Sequence, residues 1–148
     1  MKKEGSSLEI KEVSPLALIR WVSSEYEEQI TKETQGHKIL NQKAVRSILK
    51  ILTFKNGISQ NELAREVHLK GSTVSVALDK MEEDGLIRRE DSLNDKRKVN
   101  IYITSQGYDM IKKLEKMVEK MEEKMLNGLS ESEKYDLHYI LIKILKNC

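Results

Sequence analysis

A single proline and seven glycines punctuate 148 residues. This shortage of turn-formers constrains the fold strongly, because chain reversals need residues that tolerate special backbone angles. A strand-rich fold needs many such turns, whereas a few long helices need few. The simplest globular solution is a mainly α chain with a little sheet. Hydrophobic residues make up 39% and charged ones 34%. The longest uninterrupted apolar runs, Leu16 to Ile19 and Tyr139 to Ile142, are four residues each. A membrane-spanning helix needs about twenty. No apolar stretch follows the basic start Met1-Lys2-Lys3, so no signal peptide is read. Cys148 stands alone, which excludes a disulfide framework. The expectation is a soluble, cytoplasmic protein with no membrane role.

Residues 1–13 read as a polar arm. Ser14-Pro15 has the form of a helix start, cap then first-turn proline. A helix to about Thr34 follows, with Leu16, Ile19, Val22, Tyr26 and Ile30 at helical spacing. Asn41 is expected to cap a second helix whose apolar face is Ala44, Val45, Ile48, Leu49 and Leu52. Lys43, Arg46 and Lys50 fall on a different face and read as solvated. Asn56-Gly57 ends that helix. Ser59-Gln60-Asn61-Glu62 is a capping box opening a short helix from Gln60 to Val67. A further helix follows His68-Leu69-Lys70-Gly71 and runs to about Asp84, closed by Gly85. Ser72 is a candidate cap for it, Lys70 being unable to accept.

Leu86 to Glu90 reads as a strand. Val99, Ile101 and Ile103 alternate with Asn100, Tyr102 and Thr104 as a second, half-buried one. A polar loop from Asp91 to Lys98 joins the two. Thr104 or Ser105 caps a long helix to about Asn127. Its Ile111, Leu114, Val118, Met121 and Met125 step like a coiled-coil seam, read as dimer core. Gly128 stops it. Ser130-Glu131-Ser132-Glu133 opens a last helix with Leu137, Ile140, Leu141, Ile144 and Leu145 inward.

The stretch from Ser59 to Thr104 therefore has the order helix, turn, helix, hairpin. In a helix-turn-helix the first helix braces the second, which enters the DNA major groove. Leu63, Val67, Leu69, Val74, Ala77, Leu78 and Met81 supply the apolar brace, and Ala64 the small crossing position. The tight turn needs positive φ and falls on His68, a side chain that tolerates it better than most.

Five blocks carry a resemblance. They are Ile58 to Ala64, Ser72 to Ser75, Met81 to Arg89, Asp95-Lys96-Arg97 and Ile103 to Gly107. In this order they resemble the signature blocks of the MarR-type winged-helix transcriptional regulators, over about Leu40 to Gly107. The resemblance implies a homodimer on pseudo-palindromic double-stranded DNA, usually a repressor. It also implies a two-stranded wing and terminal dimerisation helices, and often release by a small aromatic or anionic effector. Arg97 resembles the wing-tip arginine that enters the minor groove, and Asp95 the aspartate that holds it. The family often has a long basic side chain where this chain has Val76, which cannot donate a hydrogen bond.

Charge supports the DNA reading independently. Residues 1–36 carry net -2, residues 37–104 net +4, and residues 105–148 zero. The whole chain's +2 thus hides a basic middle, where phosphate contacts would supply non-specific affinity. The candidate DNA-contact set is Gln60, Ser72, Thr73, Ser75, Asn94, Asp95, Lys96, Arg97 and Lys98. Short hydroxyl side chains can bond bases or phosphates, and the Thr73 methyl can touch thymine.

Other classes have little support. His37, His68 and His138 share no i, i+4 pair, so no metal or other cofactor is expected. No nucleophile–base motif or phosphate-binding glycine loop marks an enzyme. Trp21, Tyr26 and Tyr102 could line an aromatic ligand site, though packing accounts for each one alone. The competing reading is a winged-helix protein-interaction module, favoured by Val76 and by the acids Asp79, Glu82, Glu83 and Asp84. The expected organisation is one structural domain in three parts. These are an arm and dimerisation helix (1–36), a winged helix-turn-helix (37–104) and dimerisation helices (105–148).

Overall fold

The computed structural model describes residues 10–148. The polar-arm reading of residues 1–9 lies outside the described residues. Six long or short helices and three strands follow in the order α1 (Pro15–Glu33), α2 (Lys43–Phe54), β1 (Ile58–Ser59), α3 (Gln60–Glu66), α4 (Gly71–Glu83), β2 (Ile87–Asp91), β3 (Val99–Ile103), α5 (Ser105–Met125) and α6 (Glu131–Leu145). The mainly α expectation holds. No helix of the described residues is long and apolar enough to cross a membrane.

Local chemistry sets most boundaries. The Ser14 hydroxyl accepts from the Ala17 amide with Pro15 in the first turn. Thr104 caps α5 through the Gly107 amide. Ser130 and Glu133 form a reciprocal capping box on α6. Gly85 and Gly128 take positive φ just past α4 and α5, as expected of helix-ending glycines. Ser59 accepts from the Glu62 amide at 3.2 Å. The Glu62 carboxylate, expected to reach back to Ser59, instead lies 3.9 Å from the Lys55 ammonium.

Two cap assignments need correcting. The N-cap of α2 is Gln42, with no side-chain bond. Asn41 instead donates from Nδ2 to the Thr31 carbonyl at 2.7 Å and to the Thr34 hydroxyl at 3.3 Å. It ties α2 to the end of α1, where Thr34 is fully buried. Likewise Ser72 lies inside α4, whose N-cap is Lys70.

The core lies between α2, α3, α4 and the sheet. Leu40, Val45, Ile48, Leu49, Leu52, Leu63, Val74, Leu78, Met81 and Ile101 are wholly buried there. Each large side chain contributes roughly 1.5–3 kcal/mol by leaving water. The sheet has three strands rather than two, in the order β1-β3-β2, all antiparallel. The sequence hid β1 because it is only two residues long. It forms because the Gly57 amide donates to the Ile101 carbonyl at 2.8 Å and the Asn56 Oδ1 accepts from the Ile103 amide at 2.9 Å. Gly57 has φ +81, and a Cβ there would lie 2.8 Å from the Tyr102 ring.

The terminal helices depart most from expectation. Ile111 and Met121 of the α5 seam are buried within the chain, and Leu114 is half-buried against the core. The seam thus packs in large part on its own protomer. On α6 none of the five residues expected inward is buried, and Leu145 is 72% exposed. Leu16 and Val22 of α1 are also exposed. Periodicity marks an apolar face but does not name the chain that covers it.

Candidate nucleic-acid interface

The helix-turn-helix is built by α3, α4 and a four-residue connection. His68 takes φ 52 at the turn, the position expected from spacing. The His68 amide donates to the Arg65 carbonyl and the Leu69 amide to the Ala64 carbonyl, each at 3.2 Å. Leu63 and Val74 are buried between the helices, so α4 is braced from behind.

The outward side of α4 carries Ser72, Thr73 and Val76, all exposed, with Ser75 half-buried. Val76 is 57% exposed and presents an apolar surface where a basic side chain would read a purine. Lys70 caps α4 without a side-chain acceptor. The amides of Gly71, Ser72 and Thr73 precede the first i→i−4 bond, from Val74 to Lys70. Such orphan amides favour an anion. Gln60 is half-buried at the start of α3, away from the first turn of α4 in sequence.

The wing is the loop between β2 and β3. Asn94, Lys96, Arg97 and Lys98 are exposed on it, and Asp95 is half-buried. One Asp95 carboxylate oxygen accepts from the Arg97 amide at 3.0 Å and from Arg97 Nε at 3.2 Å. These bonds hold the Asp95 carboxyl below the usual carboxylate range. The Arg97 side chain remains 92% exposed, so its position is restrained while its face stays open. Of the nine candidate residues, Asp95 and Arg97 are joined directly. Among the described residues, Lys96 and Lys98 make no ion pair within 4 Å.

Arg89 has a part that the sequence reading missed. Its Nη1 lies 2.7 Å from Asp79 and 3.6 Å from Glu82, and its Nη2 donates to the Ser75 carbonyl at 3.4 Å. Its own amide donates to Glu82 at 3.1 Å. The side chain is 20% exposed, and Nε is buried without a partner. Arg89 therefore fastens β2 to α4 and offsets part of the negative charge of Asp79 and Glu82. The signal was present in the strand period: Ile87 is buried, so Arg89 shares its inward face. Arg88, on the other face, stacks 4.5 Å over the Tyr102 ring and pairs with Glu90.

Behind this unit lies a crevice of about 780 Å³ between α1, α2 and α5. Tyr26, Ile30, Phe54, Ile111, Leu114 and Val118 give it an apolar lining. Lys43, Arg46 and Lys50, read from the sequence as a solvated face, all line it. Arg46 is in fact buried. It donates to the Leu40 carbonyl at 2.9 Å and to Glu27 at 3.2 Å, and Lys43 lies 3.6 Å from the same Glu27. The Tyr26 hydroxyl donates to Glu122 at 3.3 Å. Burial first, then the Glu122 charge, pushes its phenol up to about 12.

Comparison with known proteins agrees with this architecture. A family model described as MarR family matches residues 46–99. The HTH-type transcriptional regulator PecS of Dickeya dadantii (strain 3937) is 30% identical over 90 residues, covering 61% of this chain. The match spans 54% of that relative, about half its length. A MarR-family transcriptional regulator from Silicibacter pomeroyi superposes with a TM-score of 0.73 at 28% identity, covering 88% of this chain and 86% of that one. The S. aureus MepR–DNA complex gives a TM-score of 0.74 at 27% identity, covering 93% of this chain and all of MepR.

Proposed function

We propose that the chain is a MarR-family winged-helix protein and, on that reading, a sequence-specific, DNA-binding transcriptional regulator. The observation that carries this reading is the wing: an arginine tethered by Asp95 yet 92% exposed. A guanidinium so placed suits the negative potential of a narrow minor groove. Ser72, Thr73 and Ser75 supply major-groove contacts, Lys96 and Lys98 phosphate contacts, and Asn94 and Gln60 flanking polar contacts. PecS is a transcriptional regulator and MepR is seen on DNA, which supports carrying the same role to this chain.

The protein acts as a homodimer. Exposed apolar residues on α1 and α6, among them Leu16, Val22, Ile140 and Leu145, leave apolar faces for a second copy of the chain to cover. Residues 1–36 and 105–148 then form the dimer body, and residues 37–104 the two DNA-reading units. It represses, and a small aromatic effector in the crevice beside α5 releases it from DNA.

A gel shift with DNA flanking its own coding sequence tests the reading. A specific complex is expected, with Arg97→Ala abolishing retardation while size-exclusion chromatography still shows the dimer. Absence of any specific complex by folded dimer would favour the competing reading, a protein-interaction module. The acids Asp79 and Glu82 motivated that alternative, and their pairing with Arg89 removes much of its support.

A further inference from the structure

We infer that the crevice between α1, α2 and α5 takes an organic cation, a flat or bulky apolar body carrying a permanent positive charge. This rests on reading the crevice as the effector site and specifies the ligand's charge. The argument begins with how α5 divides its charges. The helix carries five lysines and four glutamates along its length. All four glutamates, Glu115, Glu119, Glu122 and Glu123, line the crevice, and none of the five lysines does. A charge-balanced helix has therefore turned one sign toward the cavity.

The opposite wall does not cancel that sign. Arg46 and Lys43 share the Glu27 carboxylate at 3.2 and 3.6 Å. Lys134, at the rim, is held by Glu131 at 3.0 Å. Lys50 is left as the basic lining group without an ion pair among the described residues. Glu115, Glu119 and Glu123 likewise have none within 4 Å. Glu27 offsets only one of Arg46 and Lys43, so five lining carboxylates face four lining cations, and Glu131 offsets one of those four; the balance is negative and favours a cationic guest.

The apolar lining has the matching chemistry. Tyr26 and Phe54 contribute two aromatic rings to one cavity. A cation within about 6 Å of such a ring is attracted by its negative face. The Tyr26 hydroxyl donates to Glu122 at 3.3 Å, which fixes the ring at the acidic wall. The volume of about 780 Å³ falls in the range of pockets that hold drug-sized ligands, about 300–1,000 Å³.

The test uses two ions of the same shape and opposite charge, tetraphenylphosphonium and tetraphenylborate, titrated calorimetrically into the full-length chain. Tetraphenylphosphonium is expected to bind at least tenfold more tightly and to release the protein from its operator in a gel shift. The double variant Glu119→Gln, Glu123→Gln should weaken that binding at least fivefold, with an unchanged melting temperature as the control for folding. Equal or tighter binding of tetraphenylborate, lost in Phe54→Ala, would leave the crevice as an effector site and overturn its preference for cations. Unchanged phosphonium binding in the double variant would also overturn the charge argument. Binding of neither ion at millimolar concentration would remove the effector-site reading together with the inference.

Discussion

Replacing Gly107 by alanine sets two effects of opposite sign against each other, and the structure decides between them. Gly107 is the third residue of α5. In an exposed helix interior, Gly→Ala gains up to about 1 kcal/mol from helix propensity. At Gly107, however, an added Cβ meets the Leu86 carbonyl oxygen well inside van der Waals contact, and the Ile103 Cγ1 at 2.6 Å. The Leu86 oxygen cannot swing aside, because it already accepts from the Thr104 amide at 3.0 Å. Overpacking of this kind costs roughly 1–3 kcal/mol. The net expectation is a loss of about 1–2 kcal/mol, a fall in melting temperature of roughly 2–8 °C for a chain of this size. The assay is thermal unfolding by circular dichroism at one fixed protein concentration, since dimerisation would otherwise shift the midpoint. Gly36→Ala is the control: nothing lies within 4 Å of its would-be Cβ, so it should be neutral or stabilising by up to about 1 kcal/mol. A Gly107→Ala protein that melts at or above the wild-type temperature would refute the close approach of α5 to the base of β2.

Arg89→Met should lower operator affinity at least tenfold by fluorescence anisotropy while the chain stays folded by circular dichroism, because it unfastens β2 from α4 and frees Asp79 and Glu82. Unchanged affinity would show that the wing and recognition helix hold their angle without it. Ser130→Ala removes the α6 capping box and should cost about 1 kcal/mol in urea unfolding. The Tyr26 phenol is raised above its unfolded value of 10, so its contribution to stability is intact below about pH 10 and is lost as the pH climbs toward 12. Absorbance titration at 295 nm should show one late-ionising tyrosine that disappears in Tyr26→Phe. Lys70, Lys96 and Lys98 on both protomers predict a slope of log binding constant against log salt of about -5. Lys96→Ala with Lys98→Ala should bring it to about -2, and an unchanged slope would place the phosphate contacts elsewhere.

The sequence was most legible where one residue's local chemistry decides the outcome. Ser14, Thr104, Ser130, Gly85 and Gly128 each fix a helix end through their own backbone or hydroxyl, so their places could be read directly. His68 is the same case: the turn needs positive φ, and spacing alone put that need on His68. It was least legible where a partner far along the chain decides. Asn41 has the right side chain to cap α2, yet Thr31 and Thr34 compete for it from α1. Arg46 sits at a position that periodicity calls a polar face, and only the approach of Glu27 and the Leu40 carbonyl buries it. Strand β1 depends on Asn56 meeting Ile103, 47 residues later. In the candidate site, the wing residues Asn94 to Lys98 could be proposed because loop, charge and spacing coincide within five residues. Arg89 was missed because its role depends on α4.

The way these distant partners use charge explains how a segment of net +4 can serve as a DNA reader. Many of its cations are already committed inside the protomer. Arg89 is held by Asp79 and Glu82, and Arg88 by Glu90. Lys55 is held by Glu66 at 2.5 Å, and Arg46 and Lys43 by Glu27. Apart from Arg88–Glu90, which lies within β2, these pairs join α2 to α1, α2 to α3, and β2 to α4, so they orient the elements rather than attract DNA. The solvent-exposed pairs among them, such as Lys55 with Glu66, add little stability singly, but each one also offsets an acid that would repel phosphate. What remains without an ion pair includes Lys70 at the start of α4 and Lys96 and Lys98 on the wing, beside the tethered Arg97. Lys38, Lys50, Arg65 and Lys80 are also without an ion pair among the described residues, so three of seven uncommitted cations, with the exposed Arg97, stand at the start of α4 and on the wing.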